Sequence, residues 1–550
     1  MRWAILADVL RNGDLRRAHA GWLLAITAEW MYLVNLLVFA YAIGGVAAVG
    51  AVSVARTLPA ALLAPFLAGV ADRLPRSRVL LGVHGGRGLV VAAVALVVAV
   101  GGPLSLILAL ALIEGACATL HRPTTLSVFP AIARSPEELV ASNVTMSFGE
   151  GLGVLTGPAI GGILVAMAGP ASGMGVAAAG FGLAALVVLP LKVSQGRASA
   201  GSSGSGRVAS ALGGFLALRT YPHAGLLVGL LATQTFVRGV LTVLLVAAAV
   251  ELLLLGDSGV GLLNAAIGAG GLIGAVFGLT YLLRRGLSSP LIVGLALWGL
   301  PITLIGLLPN PVVAVLFLLL LGAANAVLDV SAFTLLQRNV PNRLRGRVFG
   351  ALEGLVALTV GLGSIVAPIL VALAGVQVAL IVTGAVLPVL AIAARRAVQR
   401  AEDAAVVPHR QLALLRGVPM FTPLSLTVIE QIAADLERVV VGVGSDVVRQ
   451  GEPGNDYFVI DDGRVEVIHD GITIGTLGPG DGFGEIALLR DVPRTATVRA
   501  TTDLDLFRLG RPAFLEAISG SPRSVLAAEA LVGARLHGQG HGSPDGQGHG

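Results

Sequence analysis

Eight charged residues stand well inside long apolar runs, beyond their first turn: Glu29, Arg56, Arg87, Glu114, Glu150, Arg238, Asp329 and Glu353. A charge in hydrocarbon is costly, so each is a candidate for binding or for moving an ion unless a neighbour neutralises it. Carboxylates and guanidiniums in that setting hold protons, ions or charged cargo, or pair with one another. No catalytic triad, Walker loop or metal constellation is legible, so no catalytic residue and no metal ligand is assigned. Cys117 is the only cysteine, which excludes an intrachain disulfide and a multi-cysteine metal site. The chemistry on offer is recognition and translocation, and the chain is expected not to be an enzyme or an ATP-driven pump.

The elements that carry these charges follow from composition. Of 550 residues 55% are hydrophobic and 13% charged, against about 25% charged in an ordinary globular chain. Residues 1–400 hold 25 basic and 12 acidic side chains, and residues 401–550 hold 12 basic and 20 acidic ones. The high pI therefore reflects a basic apolar front joined to an acidic back, and nucleic acid is not an expected partner. The expected organisation is a membrane domain over 1–400, a connector over 401–420, a folded domain over 421–532 and a disordered Gly/His-rich tail over 533–550.

A bilayer core about 30 Å thick needs roughly 20 apolar residues per helix. Twelve such runs are predicted: 20–44, 46–71, 79–100, 103–120, 141–168, 171–190, 223–250, 258–283, 289–308, 311–335, 346–372 and 376–394. The first is too long for a cleavable secretory signal. The connections after the odd runs carry no Lys or Arg, whereas those after the even runs carry Arg73, Arg76, Arg78, Lys192, Arg343 and their neighbours. By the positive-inside rule both termini are then cytoplasmic. A Gly/Ser linker over 195–206 separates six runs from six, and Gly153 and Pro158 in the fifth run match Gly363 and Pro368 in the eleventh. Paired halves of this kind build many secondary carriers.

These features resemble the major facilitator superfamily. Gly69-Val-Ala-Asp72-Arg73-Leu-Pro75-Arg76 is similar to that family's motif between the second and third spans, and Gly153-xxx-Gly157-Pro158-xx-Gly161-Gly162 to its exporter and antiporter motif. The resemblance implies an all-α membrane domain of twelve transmembrane helices in two six-helix halves. It also implies that Asp72, Arg73 and Arg76 act as a charge relay at a gate, and that Gly153, Gly157 and Pro158 shape the fifth helix, where small residues allow close approach and proline bends the axis. In this fold the first and seventh helices line the cavity, which makes Glu29 and Arg238 the first candidates for contact with substrate or proton. For Glu114 and Asp329 an ion pair is weighed equally, and for Arg56, Arg87, Glu150 and Glu353 a structural role is preferred.

Past residue 400 the pattern changes. Thr427 to Glu437 has helical spacing. Short segments at 457–460, 464–469, 472–477, 496–499 and 504–509 are bounded by glycine turns, as in a small β-roll, and helix-like composition returns from Pro512 to about Val532. Phe483-Gly-Glu-Ile-Ala-Leu-Leu489 followed by Pro493-Arg-Thr-Ala496 resembles the phosphate-binding cassette of cyclic nucleotide-binding domains. The resemblance implies a C-terminal β-roll with flanking helices that takes cAMP or cGMP as a regulatory ligand. Gly484 would let backbone approach the ligand, the amides near Ile486 and Ala487 would face the phosphate, and Arg494 would pair with its free oxygens. Glu485 would accept the ribose 2′-hydroxyl, and Thr495 would stand beside the base without choosing between adenine and guanine. The expected whole is a proton- or ion-coupled exporter of small molecules in the plasma membrane, regulated by cyclic nucleotide. The alternative is a membrane-anchored nucleotide receptor without transport.

Overall fold

The computed structural model describes residues 12–71, 74–133, 136–191, 216, 218–340, 342–404, 409–424, 426–519 and 522–539. The chain divides into two compact units, Met1–Ala405 and Val406–Gly550.

The first unit is helical: α1 (Gly13–Ala71), α2 (Arg76–Ala99), α3 (Leu104–Ala118), α4 (His121–Ile132), α5 (Pro136–Ala168), α6 (Pro170–Val188), α7 (Pro222–Ala247, continued by a π-helical turn over Ala248–Leu252), α8 (Gly256–Arg285), α9 (Ser288–Leu307), α10 (Pro311–Asn339) and α11 (Asn342–Ala404). Among the described residues ten helices are long and apolar enough to cross a membrane. Two of them are each a pair of helices merged across a break: α1 is non-helical at Gly44 and Gly45, and α11 at Gly375, whose φ is 76°. Both breaks fall where the sequence places an uncharged connection. The fourth apolar run is longer than expected, because a turn at Thr119 and Leu120 joins α3 to α4 and carries helix on to Ile132.

Hydrophobicity alone does not pack helices in lipid, so close approach of small residues must. A Cβ on Gly157 would lie 2.5 Å from the Thr27 carbonyl oxygen of α1, and one on Gly261 of α8 would lie 2.5 Å from the Pro158 oxygen. The fifth helix is thus clasped between α1 and α8. The related seam recurs in the other half, where a Cβ on Gly363 would lie 2.8 Å from Val240 N of α7 and one on Gly50 would lie 2.8 Å from the Ser364 oxygen. The matched glycine–proline pairs of the sequence therefore sit at corresponding helix contacts.

The second unit begins with α12 (His409–Gly417) and α13 (Leu426–Ala434). Eight strands follow: β1 (Glu437–Val441), β2 (Asp446–Val448), β3 (Asp456–Asp462), β4 (Val465–His469), β5 (Ile472–Leu477), β6 (Gly482–Phe483), β7 (Thr497–Ala500) and β8 (Leu504–Gly510). Helix α14 (Glu485–Arg490) lies between β6 and β7, and α15 (Arg511–Ser519) and α16 (Pro522–Gln539) close the chain. Two four-stranded antiparallel sheets result, ordered β1-β8-β3-β6 and β2-β7-β4-β5. Asp470 and Gly471 both have positive φ between β4 and β5, the requirement of a tight primed turn that matches strand twist. Phe458, Ile460, Phe483, Val498 and Leu506 fill the space between the sheets. Tyr457 and Val459, on the opposite face of β3, pack with Phe421 from the turn between α12 and α13 and with Phe514 of α15.

Several expectations need correction here. The helix predicted to Glu437 ends at Ala434, because Glu437 starts a strand whose register pairs it with Arg508 of β8. Strands β1, β2 and β6 were not legible. The connector over 401–420 is not simply polar loop, since α11 runs to Ala404 and α12 occupies 409–417. The tail is helical as far as Gln539. Asp72 and Arg73, the linker at 195–206 and the last eleven residues lie outside the described residues.

Candidate functional site

In the roll, the six residues singled out from the sequence converge on one cavity. Its volume is about 270 Å³, and it is lined by Gly484, Glu485, Ile486, Ala487, Arg494 and Thr495 together with an apolar wall that includes Val467 and Ile474. The turn from β6 into α14 passes through Gly484 at φ 97°, in the left-handed region that favours glycine. A Cβ there would stand 2.5 Å from Arg494 Nη1. A Cβ on Gly454, legible in the sequence only as a turn glycine, would stand 3.0 Å from Arg494 Nε. Two glycines therefore make the slot in which the guanidinium lies.

Arg494 is 6% exposed. Its Nη1 donates to the Gly484 carbonyl at 3.1 Å and its Nη2 to the Asp456 carbonyl at 2.8 Å. Its own backbone pairs with Gly451 and Glu452 at 2.8 Å each, which pins the loop before β3. Burial pulls the guanidinium below its ordinary pKa, against the opposing pull of Asp456, Glu485 and Glu452. A guanidinium has five N–H donors, and the two carbonyls take only two of them. An anion in the cavity would restore what burial removes. Glu485 is 1% exposed and opens α14, whose N-cap Gly484 supplies no side-chain cap to the first amides. Thr495 lines the cavity, and its carbonyl accepts from His469 Nδ1 at 2.8 Å, a brace that the sequence did not reveal.

In the membrane unit the charges sort into two groups. Arg87 reaches Glu29 at 3.0 Å and Glu114 at 2.6 Å, and Arg56 reaches Glu114 at 2.9 Å and Glu29 at 3.9 Å. Arg87 and Glu114 are fully buried, while the Glu29 side chain keeps 28% exposure. The Arg56 guanidinium lies over the Tyr32 ring and that of Arg87 over Phe181. Two carboxylates and two guanidiniums thus form a charge-balanced knot drawn from α1, α2 and α3. Glu29, a first candidate for cargo or proton, is already held by two cations, whereas Arg56 and Arg87 prove to be its partners. Apolar-run analysis places charges at a depth but does not say which helix faces turn toward each other.

The other first candidate, Arg238, acts electrostatically on Asp329 across the second half, with Glu150 and Arg122 also in range. The Asp329 carboxylate accepts from Asn325 Nδ2 at 2.8 Å, and Asn325 Oδ1 accepts from Trp298 Nε1 at 2.8 Å and from Gln234 Nε2 at 3.5 Å. Asp329 is held by a neutral amide rather than by a guanidinium. Asn325, Gln234 and Trp298 were missed as site residues, since uncharged amides give no hydropathy signal. Glu150 pairs with Arg122 at 3.2 Å, Glu353 is exposed, and Arg76 donates to the Ser127 carbonyl at 3.0 Å. Gly153, Gly157 and Pro158 form the α5 seam already described, where a Cβ on Gly153 would meet Ile26 and Thr27.

A bundle of apolar helices with a few internal charges, joined to a β-roll with an anion-ready cavity, defines a multi-pass membrane protein carrying a ligand-binding module. Comparison with known sequences makes the assignment specific. The profile of the Major Facilitator Superfamily matches residues 20–352 and 234–435, and that of the cyclic nucleotide-binding domain matches 438–521. The chain belongs to the Major Facilitator Superfamily and carries a C-terminal cyclic nucleotide-binding domain. Over 102 residues it is 42% identical to the cAMP-dependent protein kinase regulatory subunit of Schizosaccharomyces pombe, and over 102 residues 38% identical to that of Yarrowia lipolytica. Each match covers 18% of this chain and 25% or 27% of the relative, so the chain spans about a quarter of the length of the curated relatives it matches. Among solved structures, that of a mutant of the nucleoside transporter NupG is similar in fold, with 16% identity and a TM-score of 0.60 over 70% of this chain and 100% of that one.

Proposed function

We propose that this protein is a secondary transporter of small molecules whose transport is regulated by a cyclic nucleotide bound to its C-terminal roll. The observation that carries the reading is the convergence of Gly484, Glu485, Ile486, Ala487, Arg494 and Thr495 on a single cavity around a buried guanidinium. Similarity to two cAMP-dependent regulatory subunits favours cAMP over cGMP. The charge bias of the connections supports a cytoplasmic placement of both termini and of the roll, with the two breaks in α1 and α11 counted as turns between spans, and the membrane proposed is the plasma membrane. A ligand shifts a carrier's conformational equilibrium only through its differential affinity for the two states, so carrier conformation must in turn alter nucleotide affinity.

The coupling ion is a proton and the direction is export. The group that best suits proton carriage is Asp329, because its hydrogen bond comes from a neutral amide and no guanidinium is bonded to it among the described residues. Asp72, Arg73 and Arg76 form the gate relay that the sequence motif implies. The test begins with a compound identified by protection of a sensitised host on expression of the gene. Its flux is then measured in vesicles with and without cAMP on the side of the roll, in wild type and in Arg494→Ala. Regulation by the pocket requires that nucleotide change the wild-type rate and leave the variant's rate alone; equal responses would sink the reading. Asp329→Asn should remove the dependence of flux on the pH gradient.

A further inference from the structure

The last turns of α11 are fastened to the rest of its half by hydrogen bonds at Glu402 and Ala401. Glu402 Oε1 accepts from the Leu287 amide at 2.5 Å and Oε2 from the Ser288 amide at 3.0 Å. Those amides open α9, a 20-residue helix whose own N-cap, Leu287, gives no side-chain cap. A carboxylate there satisfies two donors that the helix leaves orphaned and meets the positive end of its dipole. Room for it is made by Gly286, at φ 73°, where a Cβ would stand 2.7 Å from Glu402 Oε1. One residue earlier, the Ala401 carbonyl accepts from Asn339 Nδ2, at the end of α10, at 3.2 Å. Val398 and Ala401 are fully buried beside it. The loop after α10 is braced in turn by Arg345, whose Nε donates to the Gln337 and Val340 carbonyls. The start of α9 and the ends of α10 and α11 are therefore tied together at the basic end of the second half.

This tie lies where the chain leaves the carrier. Helix α11 ends at Ala404, two residues past Glu402, and the first helix of the following unit begins at His409. Helix ends fray unless held, and a frayed end takes up a displacement instead of passing it on.

We propose that Glu402 is the coupling clamp of the proposed nucleotide regulation: by fixing the end of α11 to α9, it makes a displacement at the start of the sensor move the second half rather than unwind one turn. The proposal rests on the reading of the roll as a regulatory nucleotide sensor. The clamp predicts a specific separation of functions. Without Glu402 the protein should bind nucleotide as before, and the carrier should no longer respond.

The test is hydrogen exchange of the full-length protein in lipid nanodiscs, with and without saturating cAMP, which requires no knowledge of the cargo. In wild type, cAMP should alter exchange in the roll and also in peptides covering 284–300 and 335–350. In Glu402→Ala the change in the roll should persist and the change in the carrier peptides should be lost. Glu402→Gln, which keeps the shape but offers one acceptor and opposes an N–H₂ to the second amide, should lose most of it. Thermal unfolding of both variants checks that the fold survives, and Gly286→Ala, which crowds the carboxylate and strains the backbone, provides a second route to the same loss. A carrier response in Glu402→Ala and Glu402→Gln equal to that of wild type would overturn the clamp. A wild type that binds cAMP with no change in the carrier peptides would instead overturn regulation itself.

Discussion

Replacing Arg494 by alanine should weaken cyclic nucleotide binding by about 10²–10³-fold. Hydrogen bonds to charged groups contribute roughly 1.5–3 kcal/mol each, and a guanidinium fork offers a phosphate two of them. Their joint loss, taken as about 3–4 kcal/mol, converts at about 1.4 kcal/mol per tenfold. Some of the cost is offset, because the variant no longer desolvates a cation that is 6% exposed. The bonds to the Gly484 and Asp456 carbonyls are lost as well, and they brace the empty roll. Unfolding must therefore be compared with and without ligand. A ligand at 100 times its Kd stabilises the folded state by about 2.7 kcal/mol. At the same concentration Arg494→Ala should gain less than about 0.5 kcal/mol, and Arg494→Lys, which keeps charge but loses the fork, should fall between. Titration of the full-length protein with fluorescent cAMP supplies the constants directly. A Kd for Arg494→Ala within about threefold of wild type, under 0.7 kcal/mol, would refute the placement of the phosphate on this guanidinium.

Three further outcomes follow from the packing and the charges. Arg87→Ala leaves fully buried Glu114 with one of its two cations and should destabilise the membrane unit by about 3–5 kcal/mol, while the double variant Arg87→Gln with Glu114→Gln should cost clearly less; thermal unfolding in detergent decides, and equal losses would contradict a charge knot. Gly157→Ala places a methyl 2.5 Å from the Thr27 oxygen and should destabilise by about 1–3 kcal/mol, whereas Gly175→Ala, with nothing within 4 Å, should be neutral or stabilising through helix propensity, so only the first should lose stability. In the roll, Arg499 holds the Asp446 carboxyl below the usual carboxylate range by hydrogen bonding, and Arg438 does the same for Asp505. A depressed folded value means that the contribution is complete above the unfolded value of about 4 and is lost as pH falls through the lower folded one. Acid unfolding of the roll should steepen below about pH 4, and Asp446→Asn should remove its part of that steepening.

The sequence by itself determined which stretches are long and apolar, because hydropathy sums over neighbours in the chain, and it brought together the residues that line the roll's cavity, because six of them lie within a dozen positions where local turns fix their directions. Glycine at 484 and the Asp470-Gly471 turn are of the same kind, since each demands a backbone conformation that the residue itself permits. Tertiary structure alone decided the rest. Strand β1 is held by β8, some 65 residues later in the chain, and nothing within Glu437–Val441 announces that partner. Glu29 is knotted to Arg56 and Arg87 instead of standing free, Asp329 meets an amide, and Glu402 caps a helix 114 positions away. In each case the residue type was visible and its partner was not: the rotation of each helix about its axis is set by packing against its neighbours, and no local pattern records it.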